Sequence, residues 1–201
     1  MIAILDYGMG NVKSIQNMFK KVGVESIITA DIDTIKKADK YLLPGVGSFD
    51  HGIRNLKNSS FFETLEEEVL ENKKPILGIC LGMQLLTNSS EEGTEKGLGW
   101  IDAVTQKFTV HDSLPIPHMG WNRVNPIDRS TLFKGLADEN RFYFVHSYHV
   151  VCHHRENILA TSEYGYEFTS GIQKENIFGV QFHPEKSHRF GMQLLKNFGE
   201  I

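Results

Sequence analysis

Pro75-Ile-Leu-Gly-Ile-Cys-Leu-Gly-Met-Gln84 runs from a short apolar segment through one cysteine into an apolar, helix-like stretch. Gly78 stands two residues before Cys80 and Gly82 two residues after it. A strand that turns sharply into a helix crowds the side chains around the turn. Glycines at those two offsets relieve the crowding and let Cys80 project its sulfur clear of a sheet, which is the geometry of a nucleophile elbow. The thiol then sits over the unpaired N–H groups and positive dipole end of a helix, where a thiolate and a neighbouring oxyanion are both favoured. A buried cysteine in a central strand carries the same local signature, so the elbow reading depends on partners elsewhere in the chain.

Upstream of the elbow, short apolar runs alternate with amphipathic stretches. Ile2 to Leu5 reads as a buried strand, and Asn11 to Val22 places Val12, Ile15, Phe19 and Val22 on one helical face. Ser26 to Thr29 and Tyr41 to Leu43 read as further strands. Ser60 with Glu63 forms a capping box opening a helix to about Asn72, and Pro75 to Ile79 is the strand feeding the elbow. This βαβ order implies a parallel sheet flanked by helices, with its chemistry beyond the carboxyl ends of the strands, where Asp6, Pro44 and Cys80 emerge. After about Gly99 the texture changes to short alternating strands: Phe142 to Val145, Val150 to Cys152, Phe168 to Gln173 and Ile177 to Gln181. A last helix follows from about Ser187 to Phe198.

With 201 residues, 40% of them hydrophobic, the chain can bury a full core as a single domain over 1–201. A formal net charge of -4 and a pI near 6.1 give no general pull toward nucleic acid or an anionic membrane. No apolar run approaches the length of a bilayer span, and Met1 to Asp6 lacks the pattern of a signal peptide, so a cytoplasmic location is expected. The two cysteines, Cys80 and Cys152, stay thiols in a reducing compartment, which excludes a disulfide framework.

A cysteine nucleophile needs a base, an orienting group and oxyanion donors. His183 and Glu185, in Gly-Val-Gln-Phe-His-Pro-Glu-Lys-Ser, stand two residues apart after a strand, and an extended segment points such residues to one side. An imidazole there can accept the thiol proton and later protonate a leaving amine, while the carboxylate fixes its tautomer. Taken alone, His-Pro-Glu also describes a solvated strand-end turn. Pro44-Gly45-Val46-Gly47-Ser48-Phe49 follows another strand, and its glycines permit a conformation that aims an N–H into a site beside the N–H of Leu81. Gly-Val-Gly is equally a common tight turn.

Gly-Ile-Cys-Leu-Gly-Met-Gln, Pro-Gly-Val-Gly-Ser-Phe and Phe-His-Pro-Glu-Lys-Ser together resemble the motifs of class I glutamine amidotransferases with a Cys-His-Glu triad. Asp6-Tyr-Gly-Met-Gly-Asn11, Pro117-His-Met-Gly-Trp-Asn122 and Tyr143-Phe-Val-His-Ser-Tyr148 are similar to segments of the glutaminase subunits of imidazole glycerol phosphate synthases. The likeness covers nearly the whole chain. It implies an α/β, flavodoxin-like class I amidotransferase fold with a mostly parallel central sheet and a smaller antiparallel region in the second half. It further implies Cys80 as nucleophile, His183 as acid and base, Glu185 as its orienting partner, and Gly45, Val46 and Gly47 with Leu81 as the oxyanion hole. Gln84, Glu92 and the main chain around Ser147 and Tyr148 are implied to contact the amino-acid end of glutamine.

By the same resemblance, L-glutamine is hydrolysed through a thioester and its ammonia passes to a (β/α)8-barrel cyclase subunit in histidine biosynthesis. Asn11, His118, Met119, Trp121, Tyr143 and Lys186 are implied to face that partner. A glutaminase of this kind is typically near-silent until the cyclase binds its ligand, and a peptide flip at Val46 is the expected switch. A chain of this length leaves no room for an acceptor domain. No cofactor or metal is needed for this chemistry, and His149, His153 and His154 beside Cys152 read as a solvated loop. His51 and His111 have no evident role.

Three other readings stay open on sequence. One is a paralogue supplying ammonia to a cyclase-like partner in surface-polysaccharide sugar synthesis, to which Ser187-His-Arg-Phe-Gly-Met192 points. Another is a glutaminase serving pyridoxal phosphate, anthranilate or guanylate synthesis. The third is a non-catalytic binding or redox-sensing protein with an elbow cysteine.

Overall fold

The computed structural model describes residues 1–109, 114–127, 130–136 and 139–201; His111 lies outside them. The alternating first half forms β1 (Ile2–Leu5), α1 (Val12–Lys21), β2 (Ser26–Thr29), α2 (Ile32–Lys37), β3 (Lys40–Leu43), α3 (Phe49–Lys57), α4 (Phe62–Leu70), β4 (Ile76–Ile79) and α5 (Leu81–Leu85). The second half adds β5 (Ser89–Ser90), β6 (Ala103–Lys107), β7 (His118–Arg123), β8 (Asn125–Pro126), β9 (Arg141–His146) and β10 (Tyr148–Cys152). β11 (Ile158–Glu163), β12 (Glu167–Lys174), β13 (Ile177–Val180) and α6 (His188–Glu200) complete it.

The main sheet runs β2-β1-β3-β4-β13-β12-β10-β6-β5, with β11 and β8 branching from β12. Its first five strands are parallel, and antiparallel pairing begins where β12 meets β13. Strands β7 and β9 form a separate two-stranded antiparallel sheet. Both faces of the parallel part are covered, as βαβ crossovers require, so β1, β4 and β13 are buried at every position. Alternation along the strands divides the core in two. Ala3, Leu5, Tyr41 and Leu43 pack with Ile53, Leu56 and Leu65 of α3 and α4. Ile2, Ile4 and Leu42 pack with Ile15 and Phe19 of α1 and Leu194, Leu195 and Phe198 of α6.

Local chemistry sets some boundaries and fails to set others. The Asn11 side chain accepts from Ser14 N–H and starts α1, which buries Ile15, Met18 and Phe19. Met18 takes the inner position expected of Val22, which is only half-buried. The Ser60–Glu63 capping box does not form. Helix α4 starts at Phe62, past Phe61, and has no side-chain cap, because the chain turns at Ser59, whose carbonyl receives Phe62 N–H. Helix α3 begins inside the segment that reads as a tight turn, and its first amide is held by Glu92, 43 residues away.

The pairing of β13 with β4, Val180 opposite Ile79, positions the site. Cys80 N–H donates to Val180 O at 2.8 Å, so residues about a hundred apart in sequence meet at one sheet edge. No helix of the described residues is long and apolar enough to cross a membrane.

Candidate active site

Cys80 stands between β4 and α5 with φ 54° and ψ -111°, a left-handed conformation that a residue with a Cβ rarely adopts. The flanking glycines hold it there. A Cβ on Gly78 would lie 2.7 Å from Gly82 C and O, and one on Gly82 would lie 2.0 Å from Leu43 O, so no side chain fits at either position. Gly45 is pressed against the same turn, where its Cβ would meet Gly82 N at 2.6 Å and Leu81 Cβ at 2.8 Å. Gly47 has φ 108°, while Val46 between the two glycines is 46% exposed. The loop that follows β1 supports this arrangement from below: buried Tyr7 donates its hydroxyl proton to Pro44 O. Burial drives the Tyr7 hydroxyl pKa far upward, so it remains a donor.

A cavity of about 320 Å³ opens over the turn. Val46, Gly47, Cys80, Leu81 and Gln84 line one part of it, and Glu92, Ser147, Tyr148 and His183 another. Pro117, Val145 and His146 complete the wall, and none of these three stands out in the sequence as a pocket residue. Gly45 and Glu185 lie behind the lining, the first against the elbow and the second against the imidazole. His183 Nδ1 is 2.8 Å from Glu185 Oε1, with both side chains buried. The pair does not come from an extended segment as expected. β13 ends at Val180, and Pro184 starts a 3-10 turn over Pro184–Lys186 that folds the carboxylate back onto the ring.

His183 Nε2 is buried with no hydrogen-bond partner among the described residues. Burial alone would depress this imidazole, but its interactions with the Cys80 thiol and the Glu185 carboxylate override that and push its pKa up to about 10. His183 therefore holds its proton more tightly in the folded than in the unfolded chain. Its contribution to stability is full below pH 6.5 and is lost as pH rises through about 10. A series of Tm against pH is expected to show a shallower alkaline decline for Glu185→Gln than for the wild type.

Gln181 is the residue at this site that sequence reasoning missed. It is fully buried just beyond β13, and its Nε2 donates to Cys80 Sγ at 3.7 Å. Its Oε1 accepts from Gln84 Nε2 at 3.0 Å. Gln84 thus uses its amide nitrogen inside the protein, there and toward Tyr148 O at 3.4 Å, leaving its oxygen for a ligand. A polar residue at the end of the apolar strand Ile-Phe-Gly-Val was the available signal. A donor aimed at sulfur steadies negative charge on it, and Gln181→Leu is expected to slow iodoacetamide alkylation of Cys80 about ten-fold, the effect of one hydrogen bond to a charged group. An unchanged rate in the folded variant would dismiss that role.

Glu92 Oε2 accepts Phe49 N–H at 2.8 Å, which ties the pocket's carboxylate to the helix that follows the Gly45–Gly47 loop. On the small sheet, Met119 and Trp121 are 61% and 46% exposed and lie opposite Val145 and Tyr143. Trp121 stacks on His188, and Lys186 Nζ lies 5.6 Å over the Tyr143 ring. Asn11 is exposed at the head of α1. His118 departs from this set: it alternates to the inner face of β7, is 3% exposed and bonds to His146, so its side chain is turned away from the exposed face that carries Met119 and Trp121. Strand β9 is also stitched to the His183 turn. His183 N–H donates to Tyr143 O at 2.9 Å, Tyr143 N–H to Ser187 Oγ at 3.0 Å, and Ser187 Oγ–H to His183 O at 2.6 Å.

The other histidines divide. His153 and His154 are exposed and share Asp102, whereas His149 is not in a solvated loop but buried against Phe108 and Tyr166. Among the described residues, no group of three or more His, Cys, Asp or Glu is placed to hold a metal ion.

The family model for class-I glutamine amidotransferases matches residues 3–200. A subunit HisH 2 of imidazole glycerol phosphate synthase from Methanococcus maripaludis is 58% identical over 198 residues, covering 98% of both chains. Its namesake from Pseudomonas aeruginosa is 47% identical over 201 residues, covering both chains fully. In fold, the chain is similar to PurLQS from Thermotoga maritima, with TM-score 0.74 and 18% identity over 98% of this chain and 96% of that one. It is also similar to a glutamine amidotransferase from Thermotoga maritima, with TM-score 0.65 and 18% identity over 99% of this chain and 82% of that one. Matched from end to end by the family model and by relatives of this identity, the chain belongs to the class-I glutamine amidotransferase family, among the HisH subunits of imidazole glycerol phosphate synthase.

Proposed function

We propose that this chain is the glutaminase subunit of an imidazole glycerol phosphate synthase, hydrolysing L-glutamine to glutamate and ammonia for histidine biosynthesis. One observation carries the chemistry: a cysteine held at positive φ shares a cavity with a buried imidazole bonded to a buried carboxylate. Cys80 sulfur attacks the side-chain carbonyl carbon of glutamine, and the oxygen takes up the electron pair as an oxyanion near Leu81 N–H and the Gly45–Gly47 loop. The C–N bond breaks as His183 delivers its proton to nitrogen, releasing ammonia and leaving a thioester. Water, losing a proton to His183, then attacks the thioester, and glutamate departs with the thiolate restored. Glu92 suits the substrate ammonium, since its Oε2 is engaged by Phe49 and its second oxygen is available.

Ammonia passes to a (β/α)8-barrel cyclase subunit in the cytoplasm, which docks on the face formed by Met119, Trp121, Tyr143, Lys186 and Asn11. Reorientation of the Val46 peptide on docking is the proposed switch, with Gly45 wedged against the elbow as its fixed end. The test is glutamate release by the chain alone and with the cyclase plus its nucleotide ligand. Strong stimulation supports the reading, and equal rates oppose it. Trp121→Ala is expected to weaken cyclase binding by about 2 kcal/mol, as for an aromatic anchor, with an unchanged Tm. Titration calorimetry with both proteins checks this, and full affinity in the variant would remove Trp121 from the interface.

A further inference from the structure

A histidine pair that reaches the pocket wall through His146 belongs neither to the triad nor to the exposed face. His118 opens β7 and His146 closes β9, directly opposite in register. Both are buried, and the His118 ring stacks against Phe144 and Tyr164. Their partners determine where each proton sits. His146 Nδ1 lies 2.7 Å from Tyr148 O, and since a carbonyl only accepts, Nδ1 carries the hydrogen. Burial pushes His146 down to about 3 and His118 to about 4, so both rings are neutral at physiological pH. His146 Nε2 is then bare and accepts from His118 Nδ1–H, 2.9 Å away. His118 Nε2 is bare in turn and accepts from Asn122 Nδ2 at 3.2 Å. Two main-chain groups orient the Asn122 amide: its Nδ2 donates to Glu163 O at 2.8 Å, and its Oδ1 accepts from Arg123 N–H at 2.7 Å. A single consistent set of protons runs from Asn122 to the Tyr148 carbonyl, with both imidazoles as Nδ1–H tautomers.

The two ends of this relay sit at functional places. Ser147 and Tyr148 line the cavity, and the Ser147 carbonyl is held by Phe108 N–H at 3.1 Å. At the other end, the residues of β7 that alternate with His118 and Asn122 are the exposed Met119 and Trp121. We propose that His118 and His146 are positioning residues for glutamine: their relay fixes the main-chain edge at Ser147 and Tyr148 that receives the substrate, and links it to the strand that carries the docking face. The proposal rests on the glutaminase reading and goes beyond it by assigning the pair a role in substrate affinity.

Two measurements test it. In the stimulated complex, His146→Phe removes the shorter of the two hydrogen bonds to Tyr148 O, leaving that from Gln84, and is expected to raise the KM for glutamine about ten-fold while kcat stays within about three-fold, the effect of one buried hydrogen bond. His146→Asn, whose Nδ2 donates from the place of Nδ1, is expected to return KM to within about three-fold of wild type. In the wild-type chain, long-range 1H–15N correlation is expected to find both rings protonated on Nδ1 and bare on Nε2. An Nε2–H tautomer or an imidazolium at either ring overturns the proposal, as does an unchanged KM in folded His146→Phe. Should that variant fail to fold, the tautomers decide alone. A wild-type complex that releases no glutamate while showing these tautomers refutes the glutaminase reading and leaves the relay standing.

Discussion

Cys80→Ala is expected to lower glutamate release by the stimulated complex by roughly 10³-fold or more, the range found when a covalent nucleophile is removed. The fold should survive, because the strain at this position is in the backbone rather than in the thiol. Alanine meets the same left-handed φ, and the glycines at 78 and 82 keep the turn closed. Ammonium salts supplied in place of glutamine should still support the cyclase reaction of a Cys80→Ala complex, since only the source of ammonia has been lost. The assay pairs glutamate release with cyclase turnover on ammonium. A variant keeping a tenth of the glutaminase rate would exclude a cysteinyl thioester.

Gly191→Ala is expected to harm the enzyme from outside the cavity. Gly191 lies in the first turns of α6, where an added Cβ would fall 1.8 Å from Pro184 O and 2.6 Å from Pro184 C. These are backbone atoms of the 3-10 turn between His183 and Glu185, so relief requires moving the turn or the helix. Overpacking of this kind costs about 3 kcal/mol, at the upper end of its usual range. The displaced turn should also open the 2.8 Å bond between His183 and Glu185 and reduce glutaminase activity further than the loss of stability explains. Urea unfolding and activity measured on the folded fraction separate the two effects. A variant with a wild-type midpoint would show that α6 has room to shift.

What the sequence disclosed and what it hid follow from the range of the interactions. The elbow was legible because its logic is steric and local: two glycines and a cysteine within five residues leave few other geometries. The strands from Ile2 to Ile79 were legible for a similar reason, since a parallel sheet covered on both faces needs uninterrupted apolar runs. Helix α3 was hidden because its N-terminal amide is held by Glu92 across the pocket and not by a neighbouring cap. The Ser60–Glu63 pattern misled because a turn at Ser59 set the helix start. His118 was read as a docking residue from its motif, but strand alternation turns it inward to face His146. Gln181 escaped because its importance lies in the register of β13 on β4, which no single stretch of sequence records.

The stitch between Tyr143, His183 and Ser187 bears on how such a protein can change over time. The main chain of His183 is bonded to the main chain of Tyr143, and one serine hydroxyl closes the link. On the proposed function, which puts Tyr143 on the docking face, a substitution that remodels this part of β9 is expected to shift the imidazole as well, so that kcat changes alongside the affinity for the cyclase. Under that proposal, selection on catalysis would also act on the docking face, which couples the evolution of the two proteins of the synthase.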